Sequence, residues 1–210
     1  MQRIFFDIDG VLIEGFHTRK ERWRRWDEDI EKDIGIKFGH IEDFILRGSF
    51  PDILHGRLDF KTELQRWLDA HGYKQSAQSV IDYWHEKDSN ISIPVFNVVK
   101  KIGAKKSAKL YTATNQSHER IEYLRNTMGW NDHFNDFFYS ARLGCLKYDP
   151  HYFAQIETIL GFDPEKDPPL YFDDDPRNID VATNRGWNAV LVDGPEDVTT
   201  HETIKKLIGA

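Results

Sequence analysis

Two carboxylates one residue apart, Asp7 and Asp9, close the apolar run Arg3-Ile-Phe-Phe-Asp-Ile-Asp-Gly-Val-Leu12. An acid that follows a continuous apolar run marks the carboxyl end of a buried parallel strand, where open α/β sheets place their ligand crevices. Gly10 comes next and permits the sharp turn that can aim both side chains into one pocket. Carboxylates that close repel each other, so both stay ionised only beside a cation. The pair therefore asks for a metal, and Mg2+ suits it best because it prefers oxygen ligands and keeps waters or phosphate oxygens in its shell. Asp-X-Asp alone also occurs on ordinary turns; its place at a strand end raises it above them.

Three later stretches end in compatible chemistry. Thr114 and Asn115 close Lys109-Leu-Tyr-Thr-Ala-Thr-Asn115, and a hydroxyl there, with neighbouring backbone N–H groups, can hold an oxyanion. Lys147 lies just before Asp149-Pro150 and offers a cation to Asp7 and to a phosphate, although a single lysine is more commonly solvated. Leu170-Tyr-Phe172 delivers Asp173, Asp174 and Asp175, a second acidic cluster suited to completing a metal shell.

These residues need a sheet to carry them. From Pro94 onward helical and apolar-strand patterns alternate, which is the signature of crossover units and a parallel sheet. The pattern predicts a helix from Pro94 to Gly103, a strand over 109–115, and a helix from Ser117 to Gly129. A short strand over 135–140 and a helix from Asp149 to Gly161 follow. The strand at 170–172 leads to a helix from Pro176 to Gly186, a strand over 189–192 and a last helix around 202–207. From Gly15 to Asn90 the pattern is helical throughout. Trp23, Trp26, Ile30 and Ile34 step at helical spacing up to Gly35, reading as a packing face. Further helices are expected over 41–46, from Asp59 to Gly72, and from Ser76 onward. The reading is an α/β core of residues 1–14 and 91–210, with residues 15–90 inserted as a small all-helical domain after the first strand.

Of the 210 residues 40% are hydrophobic, enough for one sizeable core or a core with an insertion. No run approaches a membrane span, and carboxylates stand where a signal peptide would be apolar, so a cytoplasmic protein without membrane partner is expected. The single Cys145 excludes an internal disulfide framework and a multi-cysteine zinc site, and reads as a small half-buried side chain. The net charge of −7 argues against nucleic acid as a partner.

Taken together, FFDIDGVL, LYTATN, LGCLKYDPHYF and LYFDDDPRNIDVATNRGW resemble the four ordered motifs of the haloacid dehalogenase-like (HAD) hydrolase superfamily. The resemblance spans nearly the whole chain except the detail of the helical insertion. It implies a Rossmann-like core with a cap inserted between the first and second motifs. By the same resemblance Asp7 corresponds to the nucleophile and Asp9 to the general acid and base, whose backbone carbonyl also ligates Mg2+. Thr114 corresponds to the phosphate-binding hydroxyl, with Asn115 and Gly10 beside it, and Lys147 to the screening cation. Asp174 corresponds to the direct metal ligand, with Asp173 in the outer shell or as the alternative. The family often has Pro after the motif lysine where this chain has Tyr148. Thr112 also lies near its strand end, but Thr114-Asn115 matches the family pair. Asp175 reads as a helix cap before Pro176. Asn178 is either an orienting group for the acidic cluster or a helix-surface amide.

Within the family, dehalogenases lack the acid two residues after the nucleophile, because a halide leaves without a proton. Asp9 thus favours phosphoryl transfer over dehalogenation, and hydrolysis over mutase chemistry only weakly. The expected activity is a Mg2+-dependent phosphatase for a small phosphorylated metabolite. The rivals are a catalytically silent metal-binding regulatory protein and an Asp-X-Asp glycosyltransferase; the latter leaves Lys147 and the acidic strand end unexplained. His17-Thr-Arg-Lys-Glu-Arg-Trp-Arg-Arg25 is basic and Asp27–Asp33 acidic. It is read either as a solvated helical face with Arg24–Glu28 and Arg25–Asp29 pairs, or as Arg19, Lys20, Arg22, Arg24 and Arg25 facing the active-site mouth. His17 reads as a surface residue. Substrate identity and oligomeric state stay open.

Overall fold

A computed structural model describes residues 1–209 of the chain. Strand β1 (Arg3–Phe6) is followed by a helical stretch holding α1 (Ile30–Ile34), α2 (His40–Arg47), α3 (Phe50–Leu54), α4 (Phe60–Ala70) and α5 (Ala77–Lys87). Then come α6 (Ile93–Lys105), β2 (Lys109–Thr114), α7 (His118–Glu122), β3 (Asp136–Tyr139), α8 (Ser140–Leu143) and α9 (Pro150–Leu160). The chain ends with β4 (Leu170–Asp173), α10 (Pro176–Asn184), β5 (Asn188–Leu191), α11 (Pro195–Thr199) and α12 (Glu202–Ile208).

The five strands form one parallel sheet in the order β3-β2-β1-β4-β5. The strand order reverses direction at β1, so the crevice at its carboxyl end opens between β1, β2 and β4. Phe6 is level with Thr112 on one side and Phe172 on the other, which brings the following residues of three strands to one edge. Both faces of the sheet are covered. Ile4 and Phe6 pack with Val95, Val99 and Ile204, while Phe5 packs on the opposite face with Tyr152, Phe153 and Trp187. Continuous apolar strands are what such double burial requires.

Residues 30–87 build a separate core of Ile30, Phe44, Phe60, Leu64, Leu68 and Val80 among others. The chain leaves and rejoins the sheet through one narrow crossing: Glu14 N–H donates to Asn90 O at 2.7 Å, and Ser92 N–H to Leu12 O at 2.9 Å. Asp59 and Ser76 cap α4 and α5 as their types predict, accepting from Thr62 N and Ser79 N.

Three expectations change. Trp23 and Trp26 are not helical: a single 3-10 turn at Lys20–Arg22 precedes extended chain, and the helix covers only Ile30–Ile34. The aromatic spacing instead serves tertiary stacking, with Trp26 lying parallel to Trp84 at 4.6 Å between ring centroids. The Arg24–Glu28 and Arg25–Asp29 pairs accordingly do not form; Arg25 binds Asp27 and Glu42 instead. Gly103 does not end α6, which runs two residues further and closes with Lys106 at φ 51°. The helix begun by α7 continues through a wide π turn, Tyr123–Thr127, before Gly129 ends it.

Candidate active site

β1 carries Asp7 to the sheet edge, where its backbone N–H donates to Phe172 O at 2.9 Å and locks it beside β4. β4 delivers Asp173 and Asp174. Lys147 reaches the same point from the loop before α9, and its ammonium bridges Asp7 Oδ2 and Asp173 Oδ2, the latter at 2.6 Å. At 2% exposure Lys147 is a buried cation and not the solvated lysine that its type alone favours. Burial works against its charge, but Asp173 and Asp7 outweigh that and push its pKa up.

Carboxylate oxygens of Asp7, Asp173 and Asp174 lie within 4.8 Å of one another. Three negative groups against the single Lys147 ammonium leave two negative charges uncompensated in a buried site. Burial, with crowding by Asp173 and Asp174, drives the Asp7 pKa well above the ordinary carboxylate value despite Lys147. Asp174 is raised by burial as well. A divalent cation fits this deficit of charge and this set of oxygen donors.

The three acids of β4 have different surroundings. Asp173 Oδ2 takes Lys147 and the Tyr171 hydroxyl, while its Oδ1 takes Asp175 N–H at 2.8 Å and Asn178 Nδ2 at 3.2 Å. Its oxygens are thus engaged by protein donors. Asp174 Oδ2 accepts from Thr18 N–H at 2.7 Å, whereas no hydrogen bond among the described residues engages its Oδ1. Asp175 is the cap of α10, accepting from Arg177 N. Asn178 orients the acidic cluster and is buried, so the surface-amide alternative falls.

Asp9 Oδ2 accepts from Gln116 Nε2 at 2.5 Å, and its Oδ1 is buried without a partner. Burial raises the Asp9 pKa, which Arg120 opposes. Gly10, at φ 77°, turns the chain against Asp174: a Cβ there would stand 2.7 Å from Asp174 Cγ. Thr114 is buried at the end of β2, its backbone N–H held by the Tyr152 hydroxyl at 2.8 Å. Asn115 Oδ1 accepts the Lys147 backbone N–H at 2.9 Å, tying the lysine loop to β2.

Asp7, Asp9, Thr114, Asn115, Lys147 and Asp174 all line one cleft of about 550 Å³. Gln116 and Arg120 line it too, and sequence reasoning missed both. An amide and an arginine after a strand carry no motif; only the fold shows Gln116 reaching Asp9. The basic stretch points elsewhere. Arg19 pairs with Glu21 and Asp193, and Arg22 and Arg24 border a different recess of about 290 Å³ beside His17, which is itself buried. None of Arg19, Lys20, Arg22, Arg24 and Arg25 lines the cleft, so the reading that they face its mouth is corrected.

No helix among the described residues is long and apolar enough to cross a membrane. No curated protein matches the chain. Its fold is similar to that of the HAD family enzyme BT-2542 of Bacteroides thetaiotaomicron, solved with magnesium and inorganic phosphate. That likeness has a TM-score of 0.72 at 21% identity and covers 91% of this chain and 93% of that one. A predicted HAD-like family hydrolase of Porphyromonas gingivalis gives a TM-score of 0.68 at 22% identity, covering 91% and 90%. The L-2-haloacid dehalogenase of Xanthobacter autotrophicus gives 0.59 at 16% identity, covering 91% and 77%. Identities this low speak for the fold alone. The family model of haloacid dehalogenase-like hydrolases, however, matches residues 1–184, and the chain belongs to that family of hydrolases.

Proposed function

We propose that the protein is a Mg2+-dependent phosphomonoesterase of a small phosphorylated substrate, with Asp7 as nucleophile. The observation that carries this reading is Asp9: a half-buried acid two residues from Asp7, in the same cleft, with one oxygen held by Gln116 and the other buried without a partner. A halide departs without a proton and needs no such group, whereas an alkoxide leaving from phosphorus does.

The Asp7 carboxylate attacks phosphorus and the ester P–O bond breaks as Asp9 gives its proton to the leaving oxygen. Asp9, now a carboxylate, takes a proton from water, whose oxygen attacks the aspartyl-phosphate and releases Asp7 and inorganic phosphate. Lys147 holds Asp7 in place and screens the approach of an anion to an anion. The Thr114 hydroxyl would meet a phosphate oxygen, and Asn115 would keep Lys147 at the correct height through its backbone. Mg2+ would be held by Asp7, by Asp174 through its unengaged oxygen and by the Asp9 carbonyl, and when bound would neutralise charge on the phosphoryl group. Asp173, its oxygens already bonded, would stay outside that shell. The magnesium and phosphate of the BT-2542 structure are consistent with this assignment. Residues 15–90 would act as a cap over a core formed by residues 1–14 and 91–210.

The test measures phosphate release from a panel of phosphomonoesters, and halide release from a 2-haloacid, with Mg2+ and with a chelator. Phosphate release should require Mg2+ and fall by about a thousandfold or more in Asp7→Asn. Halide release without phosphate release, or an active Asp7→Asn, would overturn the reading.

A further inference from the structure

The catalytic acids occupy only the floor of the cleft; its opposite wall comes from the helical stretch and is strongly aromatic. Phe16, Trp23, Leu46, Phe50 and Trp84 line it, with Tyr148 facing them from the core side. Phe16, Leu46 and Tyr148 are 49%, 73% and 53% exposed, so three large apolar side chains stand open to solvent in one concavity. Scattered single exposures need no explanation, but a contiguous group inside a cleft marks a surface that something covers. Trp84 is stacked on Trp26 at 4.6 Å and on Phe50 at 5.5 Å, which fixes its ring within the wall.

The charges of that wall restrict the occupant further. From the helical stretch the cleft receives two acids, Glu42 and Asp88; the arginine beside Glu42, Arg25, is bound to Asp27 and Glu42. Arg120 is buried and spends its donors on the carbonyls of His85 and Asp88 and on Ser89 Oγ. Lys147 is held between Asp7 and Asp173. Arg177 lies on the core side, against Asp175. No cation on the aromatic wall is therefore free to meet a second phosphate or a carboxylate. Nor is the wall a cage for a cation: Glu42 is paired with Arg25, Asp88 is buried with its Oδ2 accepting from Trp84 Nε1, and Ile45, Leu54 and Pro51 add aliphatic surface.

Resting on the phosphomonoesterase reading, we infer that the substrate carries one phosphate on an uncharged leaving alcohol whose apolar ring lies against the Phe16–Leu46–Trp84 wall. The ring's burial strengthens with contact area and is independent of the chemistry at phosphorus, so it acts chiefly on kcat/KM through KM.

The test compares 2-phenylethyl phosphate with ethyl phosphate, which has a similar leaving oxygen but no ring. Glucose 6-phosphate, 3-phosphoglycerate and phosphocholine serve as polar, anionic and cationic competitors, and acetyl phosphate as a minimal phosphoryl donor. The expected kcat/KM for 2-phenylethyl phosphate exceeds that for ethyl phosphate by about tenfold or more. The double variant Phe16→Ala, Leu46→Ser should shrink that ratio toward one, while Ile159→Ser, at an exposed position on α9 outside the cleft, should leave it intact. An equal or higher kcat/KM for ethyl phosphate or any of the three competitors would overturn the inference while leaving the phosphatase reading standing. So would a ratio that survives in a double variant with native circular dichroism. Should the double variant fail to fold, the wild-type substrate series decides alone. Phosphate release neither from the esters nor from acetyl phosphate would overturn both.

Discussion

Among the described residues Lys147 is the only ammonium between Asp7 and Asp173, and all three side chains are buried. Removing one partner from a buried ion group leaves charge without compensation, which costs far more than the pair contributes when intact. Lys147→Met should therefore lower unfolding free energy by about 3–5 kcal/mol in chelator, read by urea titration, with a smaller loss in Mg2+ because a divalent cation takes over part of the neutralisation. A loss below about 1 kcal/mol would mean that the carboxylates already hold protons and need no cation. Asp7, Asp9, Thr114 and Asp174 were legible in the sequence because strand ends bear them and their types are unusual after apolar runs, and Lys147 because it falls in the third of the four ordered motifs. Gln116 and Thr18 were not, and Asn178 was legible only as one of two alternatives. Their value lies in which carboxylate each one reaches, 107, 156 and 5 residues away in the chain, and a contact of that kind has no local signature.

At the level of elements the central strands β1, β2 and β4 were readable because both faces of the sheet are buried there, so each is largely an apolar run bounded by turn residues, while the edge strands β3 and β5 are less buried. The Trp23–Trp26 segment failed for the opposite reason: its apolar spacing matches a helix, but the rings are spaced to stack across to α5. The end of α6 was misplaced because Gly103 is tolerated inside the helix while Lys106, an unfavourable residue for the left-handed region, closes it. Lys106→Gly should relieve that conformation and raise stability by about 0.5–1 kcal/mol in thermal or urea unfolding; an unchanged midpoint would show that the backbone relaxes without it. His85 on α5 offers a pH-dependent test. Burial, assisted by the Arg120 charge, pulls its pKa down to about 3 from an ordinary 6.5. Below pH 6.5 the unfolded chain takes up a proton that the folded chain refuses, so stability must fall as pH drops toward 3. Between pH 7 and pH 5 this group alone removes about 2 kcal/mol. His85→Leu should flatten that part of the profile relative to wild type. Parallel profiles would mean the imidazole is not kept neutral.

Across the whole molecule the question is how two cores, one on the sheet and one among α1–α5, share a single cleft whose floor belongs to the first and whose wall belongs to the second. The chain connection is narrow, two crossings held side by side by backbone hydrogen bonds at Glu14–Asn90 and Leu12–Ser92. Arg120 adds a buried side-chain tie across it, beside the packing of Gly56 on Ala141 and of His85 on Tyr123. It projects from α7 beside the sheet, is 4% exposed, and donates to the His85 and Asp88 carbonyls and Ser89 Oγ, where α5 runs out toward the crossing. Carbonyls at a helix end have no partner within the helix, so this guanidinium supplies the donors that water would otherwise provide. Arg120→Leu keeps the volume of the stem but strands those acceptors in a buried place, at a cost of about 1–3 kcal/mol. The cost falls at the junction and not inside either core, so the variant should uncouple them. Four of the six tryptophans, Trp23, Trp26, Trp67 and Trp84, lie in the inserted stretch, whereas Trp130 and Trp187 belong to the sheet's own cores. In wild type, urea transitions followed by tryptophan fluorescence and by far-ultraviolet circular dichroism should coincide, because the joined cores unfold together. In Arg120→Leu the fluorescence transition should come first, amide exchange over residues 85–92 should quicken, and KM should rise more than kcat falls, since the floor keeps its acids while the wall loses its position. Coincident transitions in the variant would instead assign the junction to the chain crossings and the other contacts across it.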